Sequence, residues 1–441
     1  ALQKYGVGVQ AVRVGRYKSA VETFTRSSSS PESKQQTEAL VGDLWKDFIQ
    51  TVSSDRDFTP QQLQTLADEV ALVESDQALE SGLVDQLGYY GDVLAELKTL
   101  AGVEDEESQP AFDEMAGFEK ADDFPQTSLV AYANLVARKS MQGRQPDETV
   151  AIVYAEGNIV VGSDNFTSGA ITSGGLSSTL RAMRKDEDIK AVVLRVNSPG
   201  GSALASEVIA DEVKQLAAEK PVIVSMGDYA ASGGYMIAAP GVKILASPNT
   251  ITGSIGVYSL LLNFQEIANK NGVTWDVVKT AKFADMQTAS RPQNEEELSI
   301  QQGYTDSLYD RFTSIVAEGR EVSKERVNQV AQGRVWTGED AIAANLVDEL
   351  GGLQDAIALA AETAGIDEYQ VNEFPKLPSF EEQLLNSFFG SGLVKLSSHL
   401  PWQKDPLMEK LLAVREELTL LDTLNDPNNA YMRLPFSTEI E

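Results

Sequence analysis

Three stretches of this chain carry almost no polar residue: Thr149–Tyr154, Ala191–Val196 and Pro221–Met226. Uninterrupted β-branched runs of that length predict strands buried on both faces. Between them Ser177–Arg184 and Ala203–Ala218 repeat apolar residues at helical spacing. Strands alternating with helices predict an α/β fold with a largely parallel sheet. Lys243–Ala246 adds a strand, and Gly157-Asn158 turns the first strand back into Ile159–Val161. Earlier, Gly6–Val14 reads as a strand. From Lys34 to Val52 the residues Leu40, Leu44, Phe48 and Val52 share a helical face, and Thr59-Pro60 starts another helix. Near the end, Phe380, Leu384, Leu385, Phe388 and Phe389 form a stripe of the kind that packs on the body or on another subunit.

Two of the buried strands run into glycine-rich turns. One ends in Asn197-Ser-Pro-Gly-Gly201. The other is expected to break at Gly227 and to resume as a helix start, with Ser232 among Ala230, Ala231, Gly233 and Gly234. In such sheets ligands bind at the carboxyl ends of strands, where both turns fall. Small neighbours let a substrate backbone approach a hydroxyl, and glycines free backbone N–H groups to face a ligand. The pair suits a nucleophile opposite an oxyanion hole. It suits equally well two ordinary turns of an α/β domain. A third glycine turn is Thr252-Gly-Ser-Ile-Gly256.

The chain repeats itself. Ser81-Gly-Leu-Val-Asp-Gln-Leu-Gly88 matches Ala344-Asn-Leu-Val-Asp-Glu-Leu-Gly351, Leu44 and Phe48 fall on Leu308 and Phe312, and Gly6-Val7 and Val12 fall on Gly272-Val273 and Val278. The offset drifts slowly, as duplication with short insertions would produce. Four regions follow: 1–103, the later part of a first module; 104–147, an acidic linker opening at Glu104-Asp-Glu-Glu107 and a connecting helix; 148–366, a complete second module; and 367–441, a helical tail. The first copy has no counterpart of the Ser232 stretch, so the chain reads as a fragment that begins in mid-module.

Composition narrows the chemistry. The 441 residues carry a net charge of -30, which argues against nucleic acid or an anionic membrane surface as partner. No apolar run is long enough to span a membrane. Cysteine is absent, so disulfides and thiolate nucleophiles are excluded, and no metal-ligand cluster is legible. The one histidine, His399, lies in the tail and reads as a surface or packing residue. A serine nucleophile would then use a lysine as its base. Such a lysine must be neutral, hence desolvated, against the upward pull of the negative chain on its pKa. The site must therefore be apolar and shielded.

Arg13-Val-Gly-Arg-Tyr-Lys-Ser-Ala-Val-Glu22, Leu194-Arg-Val-Asn-Ser-Pro-Gly-Gly201, Ala230-Ala-Ser-Gly-Gly-Tyr235 and Thr252–Gly256 together resemble the signal peptide peptidase A (protease IV) family of serine peptidases, in its long, duplicated Gram-negative form. The resemblance runs over nearly the whole chain, down to Asn425-Asp-Pro-Asn-Asn429. It implies a Clp protease/crotonase-like fold, tandemly duplicated with the first copy truncated, and a Ser/Lys dyad. By motif match Ser232 is the nucleophile, Lys18 the base, Gly233 and Gly201 supply the oxyanion-hole N–H groups, and Ser254 orients the lysine. It further implies a homotetramer on the periplasmic side of the bacterial inner membrane, held by an N-terminal anchor absent here, that degrades cleaved signal peptides without any cofactor. Short family members keep their lysine beside the serine, but the position aligned with Lys18 is here Ala284, in Lys279-Thr-Ala-Lys-Phe-Ala-Asp285. That leaves Lys282 as a weaker competitor and splits the dyad between modules. Two other classes compete: a crotonase-like acyl-CoA enzyme, for whose nucleotide no basic cluster is evident, and a non-catalytic oligomeric scaffold of the same fold.

Overall fold

The computed structural model describes residues 2–70, 72–102, 132, 146–163, 169–375 and 424–434. His399, the Phe380–Phe389 stripe and the acidic stretch 104–128 lie outside these. By packing, the chain divides into two compact units: Ala1–Leu44 with Pro146–Glu441, and Trp45–Gln145. That division cuts across the boundaries drawn from duplication, because the first 44 residues pack with the second module.

The larger unit contains two sheets. Strands β1 (Gly8–Val14), β2 (Thr149–Glu156), β3 (Asn158–Val160), β4 (Ala170–Thr172), β5 (Ile189–Ser198), β6 (Gly200–Ser202), β7 (Val222–Ala231), β8 (Lys243–Ala246), β9 (Ile251–Gly253), β10 (Val257–Asn263), β11 (Val335–Trp336), β12 (Glu349–Leu350), β13 (Gln370–Phe374) and β14 (Ala430–Arg433) follow in chain order. The first sheet runs β11-β9-β7-β5-β2-β13, with β8 on β7 and β12 on β8. Its β13-β2-β5-β7 core is parallel. The apolar runs of β2, β5 and the first half of β7 have a direct cause. Val150, Ile152, Ala191, Val193 and Ile223 pack on one face under Ala356, Ile357 and Ala360 of the helix Leu353–Ala364. The alternate residues Ala151, Val153, Val192, Leu194, Val222 and Val224 join the core that holds Leu176 and Leu180, Ile209 and Val213, and Ile237. Strands β2, β5 and the first half of β7 are thus buried on both sides.

The expected break at Gly227 is instead an irregularity inside one long strand. Register between β5 and β7 shifts after Val196↔Met226 and resumes at Ser198↔Ala230. The extra residues swing β7 from β8, its neighbour over Ile223–Ser225, to β9, its neighbour over Tyr229–Ala231. Gly227 sits in this bulge, where a Cβ would lie 2.9 Å from the Asn197 side chain.

The second sheet runs β1-β10-β14-β6-β3-β4. Strand β1 pairs antiparallel with β10 along its whole length, from Gly8↔Asn263 to Val14↔Val257. Pairing to a strand of the second module is what draws the start of the chain into the larger unit.

The smaller unit holds the last turns of the helix Pro31–Asp55 and the helices Pro60–Glu69, Ser75–Ser81 and Tyr90–Leu100. Thr59 caps the second of these, its side chain and that of Gln62 each accepting a backbone N–H. Duplication is visible in both units. Pro31–Asp55 and Glu295–Gly319 are both helices of 25 residues. An Arg56–Asp85 pair at 2.5 Å in one unit has its counterpart in Arg320–Asp348 at 2.8 Å in the other.

Candidate active site

Strand β7 delivers Ser232 to the start of the short helix Gly233–Ala238. Its backbone has φ 55°, a left-handed conformation that costs a residue with a Cβ of order 1 kcal/mol or more. The Ser232 N–H donates to Gly253 O at 2.8 Å, which ties the turn to β9. The small neighbours are required by space. A Cβ at Gly234 would meet Ser198 O at 2.5 Å, and one at Gly200 would lie 2.7 Å from the Gly233 nitrogen. A Cβ at Gly233 would lie 3.2 Å from the Gly201 nitrogen and collide with Ser206 Oγ. The amides of Gly201, on β6, and Gly233 therefore stand close together. Gly233 is the first residue of its helix, so its N–H has no acceptor within that helix.

Lys18 arrives from the other sheet. After β1 the chain turns at Gly15, with φ 107°, and the Tyr17 N–H donates to Gln332 O at 2.9 Å. Gly333, with φ 76°, presses on the backbone of Lys18, where a Cβ would come within 2.6 Å of its nitrogen. On the other side Arg13 Nη1 donates to Lys18 O at 3.1 Å and to Glu22 Oε1 at 3.1 Å, and Glu22 Oε2 accepts from Ser30 N at 2.9 Å. Burial alone would raise the Glu22 carboxyl, but the Ser30 and Arg13 hydrogen bonds outweigh it and hold it below its usual range. The lysine is clamped by its main chain before its side chain makes any contact.

That side chain is fully buried. Its Nζ lies 2.6 Å from Ser232 Oγ and 3.0 Å from Ser254 Oγ, and donates to Ser254 O at 3.0 Å. Ser254 is itself held at φ 50° and donates its N–H to Arg334 O at 2.7 Å. Desolvation pushes the Lys18 pKa well below its ordinary 10.5. Burial thus outweighs the net charge of -30, which would raise that pKa.

Ser232, Lys18 and Ser254 meet, and Gly201 and Gly233 lie alongside. Lys282 does not join them: it is exposed and paired with Glu296 at 2.5 Å. Ala284 is also exposed. Sequence reasoning did not single out Gly333 or the Arg13–Glu22 clamp. Arg13 and Glu22 stood at the two ends of the motif around Lys18, and their spacing was the available signal. A cavity of about 1100 Å³ opens elsewhere, lined among others by Leu204, Val208, Arg311 and Glu318. None of the five site residues borders it.

A buried serine and lysine at this distance, beside paired glycine amides, is the arrangement a hydrolase with a serine nucleophile needs. Comparison with known proteins agrees. The model of peptidase family S49 matches residues 1–104 and 214–367, and that of Clp protease matches 142–252. The chain belongs to peptidase family S49. This S49 protein is a serine peptidase with a Clp protease-like fold. It is 36% identical to Protease 4 of Salmonella typhi over 98% of this chain and 67% of that protein. Protease 4 of Haemophilus influenzae is 34% identical over 98% of this chain and 69% of its own. The chloroplastic serine protease SPPA of Arabidopsis thaliana is 32% identical over 82% and 52%. Membership in S49 sets aside both the acyl-CoA enzyme and the non-catalytic scaffold.

Proposed function

We propose that this S49 peptidase cleaves peptide bonds with a Ser232–Lys18 dyad and acts on apolar peptides, cleaved signal peptides among them. The observation that carries the reading is the 2.6 Å contact between Ser232 Oγ and a fully buried lysine amine. Neutral Lys18 takes the proton of Ser232 as Oγ attacks the scissile carbonyl. The carbonyl oxygen becomes an oxyanion, met by the N–H groups of Gly233 and Gly201. Collapse expels the amine, which leaves with the proton from Lys18. Water then attacks the acyl-enzyme, giving its proton to Lys18, which passes it to Ser232 Oγ as the acyl C–O bond breaks and the acid product leaves. Ser254 Oγ and its carbonyl accept the two N–H bonds of the neutral amine, which leaves its single lone pair for the Ser232 proton. An apolar environment serves the base and an apolar peptide together, since both are favoured by exclusion of water.

The dyad contact forms within one chain, although its two members are 214 positions apart. We further propose that the working protein is a tetramer on the periplasmic face of the inner membrane. Labelling with a serine-directed fluorophosphonate tests the dyad. A single modified residue, Ser232, is expected, and Ser232→Ala should abolish both labelling and hydrolysis while leaving the fold intact. Mixing Ser232→Ala with Lys18→Ala should restore nothing. Labelling at another serine, or turnover by folded Ser232→Ala, would overturn the reading.

A further inference from the structure

The site depends on a strand that comes from the far end of the chain. Strand β14 lies between β10 and β6 and pairs antiparallel with both. Its registers Met432↔Gly201 and Arg433↔Gly200 set it against the glycines beside Ser232, and Leu434 N donates to Pro199 O at 2.9 Å. The turn before it is built around Asp426, which is buried. Asp426 Oδ1 accepts from Asn428 N at 2.9 Å and Ala430 N at 3.3 Å, which shapes the turn into β14. Its Oδ2 accepts from Ser202 Oγ at 2.5 Å and Leu204 N at 3.2 Å. Ser202 ends β6 and caps the helix Ala203–Ala217, its Oγ accepting from Ala205 N at 3.2 Å. No lysine or arginine pairs with Asp426 among the described residues. One carboxylate therefore joins three things: the turn into β14, the end of β6 and the first turn of the helix that follows it.

We propose that Asp426 is a positioning residue for the oxyanion amides, acting through Ser202 to fix the height and tilt of β6. This rests on the reading of the Gly201 and Gly233 N–H groups as oxyanion donors. Donor placement is sensitive at the level of tenths of an ångström, since the donors must meet the oxygen where it will be in the transition state. Gly201 has no side chain to hold its strand, and a Cβ there would collide with Ile159 O. Beyond its pairing with Ile159 and Met432, side-chain anchorage comes from the next residue, Ser202, whose carboxylate partner among the described residues is Asp426.

The test is a comparison of ground-state and tetrahedral-state binding in Asp426→Asn. The asparagine amide keeps one acceptor oxygen for the turn and replaces the one that holds Ser202 and Leu204. We expect kcat for a peptide substrate to fall roughly 10- to 100-fold with KM changed by no more than about twofold. Affinity for a peptide boronate, which forms a tetrahedral adduct on the serine, should fall by the same factor as kcat/KM. The acid limb of the pH–rate profile, set by Lys18, should not move. Ser202→Ala keeps the carboxylate and its three backbone donors, and is the second variant should Asp426→Asn fail to fold. The double variant should lose no more than the worse single one. Wild-type kcat and boronate affinity in a folded Asp426→Asn or Ser202→Ala would overturn the inference, as would a shifted acid limb, which would place the effect on Lys18. Failure of the wild type to form a boronate adduct at Ser232 would instead overturn the oxyanion reading on which the inference rests.

Discussion

Lys18, the proposed base, is buried at a cost to stability. Unfolding returns it to water, where its pKa is the ordinary 10.5, while the folded value is well below that. Between those two values the unfolded chain binds one proton more than the folded one. Stability therefore rises with pH across the window, by about 1.4 kcal/mol per pH unit, and the loss is greatest at its acid end. Lys18→Met, close in length and free of charge, should be inactive yet more stable than wild type at pH 7. The gap should narrow as pH approaches 10, as measured by urea unfolding at several pH values. A gap independent of pH would mean that the amine is not desolvated. In the wild type, if Lys18 is the base, activity should rise with pH on an acid limb below the usual lysine range, which a kcat/KM profile reads directly. Ser232 carries a different strain, its positive φ. Ser232→Gly should be inactive and more stable by roughly 0.5–1 kcal/mol.

At the scale of elements, the proposed dyad is held by turns from four places: the end of β7, the turn after β1, the turn after β9 and the loop before β11. The loop before β11 presses directly on Lys18. Gly333 has both a positive φ and a neighbour that leaves no room for a Cβ, and that neighbour is the backbone of Lys18. Gly333→Ala should push the Lys18 main chain away from Ser232. We expect a loss of at least tenfold in kcat/KM and a melting temperature lowered by several degrees, about 1–3 kcal/mol of strain. By contrast Gly42, which has open space around it, should accept Ala without loss of activity. Equal effects at the two glycines, in thermal melts and peptide turnover, would contradict this account of the clamp.

For the whole molecule the duplication raises a further expectation. In the first copy β1 pairs with β10 and carries the chain to Lys18. Its counterpart in the second copy, residues 274–280, forms no strand, and Val273, Trp275, Val277 and Val278 are exposed. An exposed apolar segment that lies outside any sheet is a surface for strand addition. We expect it to serve the proposed assembly by docking on another copy. Trp275→Asp with Val277→Asp should shift sedimentation toward smaller species at micromolar concentration and leave fluorophosphonate labelling of Ser232 intact. Unchanged sedimentation would remove this segment from the interface. Ala284, where a lysine would otherwise follow, means that such a junction would carry no dyad of its own.

The buried strands, the helices between them and the pairing of Ser232 with glycine turns were legible in the sequence, because burial on two faces leaves only apolar residues and tight backbone approach leaves only glycine. The choice of Lys18 over Lys282 needed the motif around Lys18, since composition cannot tell a buried lysine from an exposed one. Tertiary structure alone decided the rest. The strand that runs through Gly227 depends on β8 and β9 sharing one neighbour, which local sequence cannot encode. The packing of residues 1–44 with the second module depends on β1 finding β10, a pairing between segments far apart in the chain. The desolvation of Lys18, the pressure of Gly333 on its backbone and the reach of Asp426 to Ser202 are distances between remote residues. They exist only once the two sheets have closed around the site.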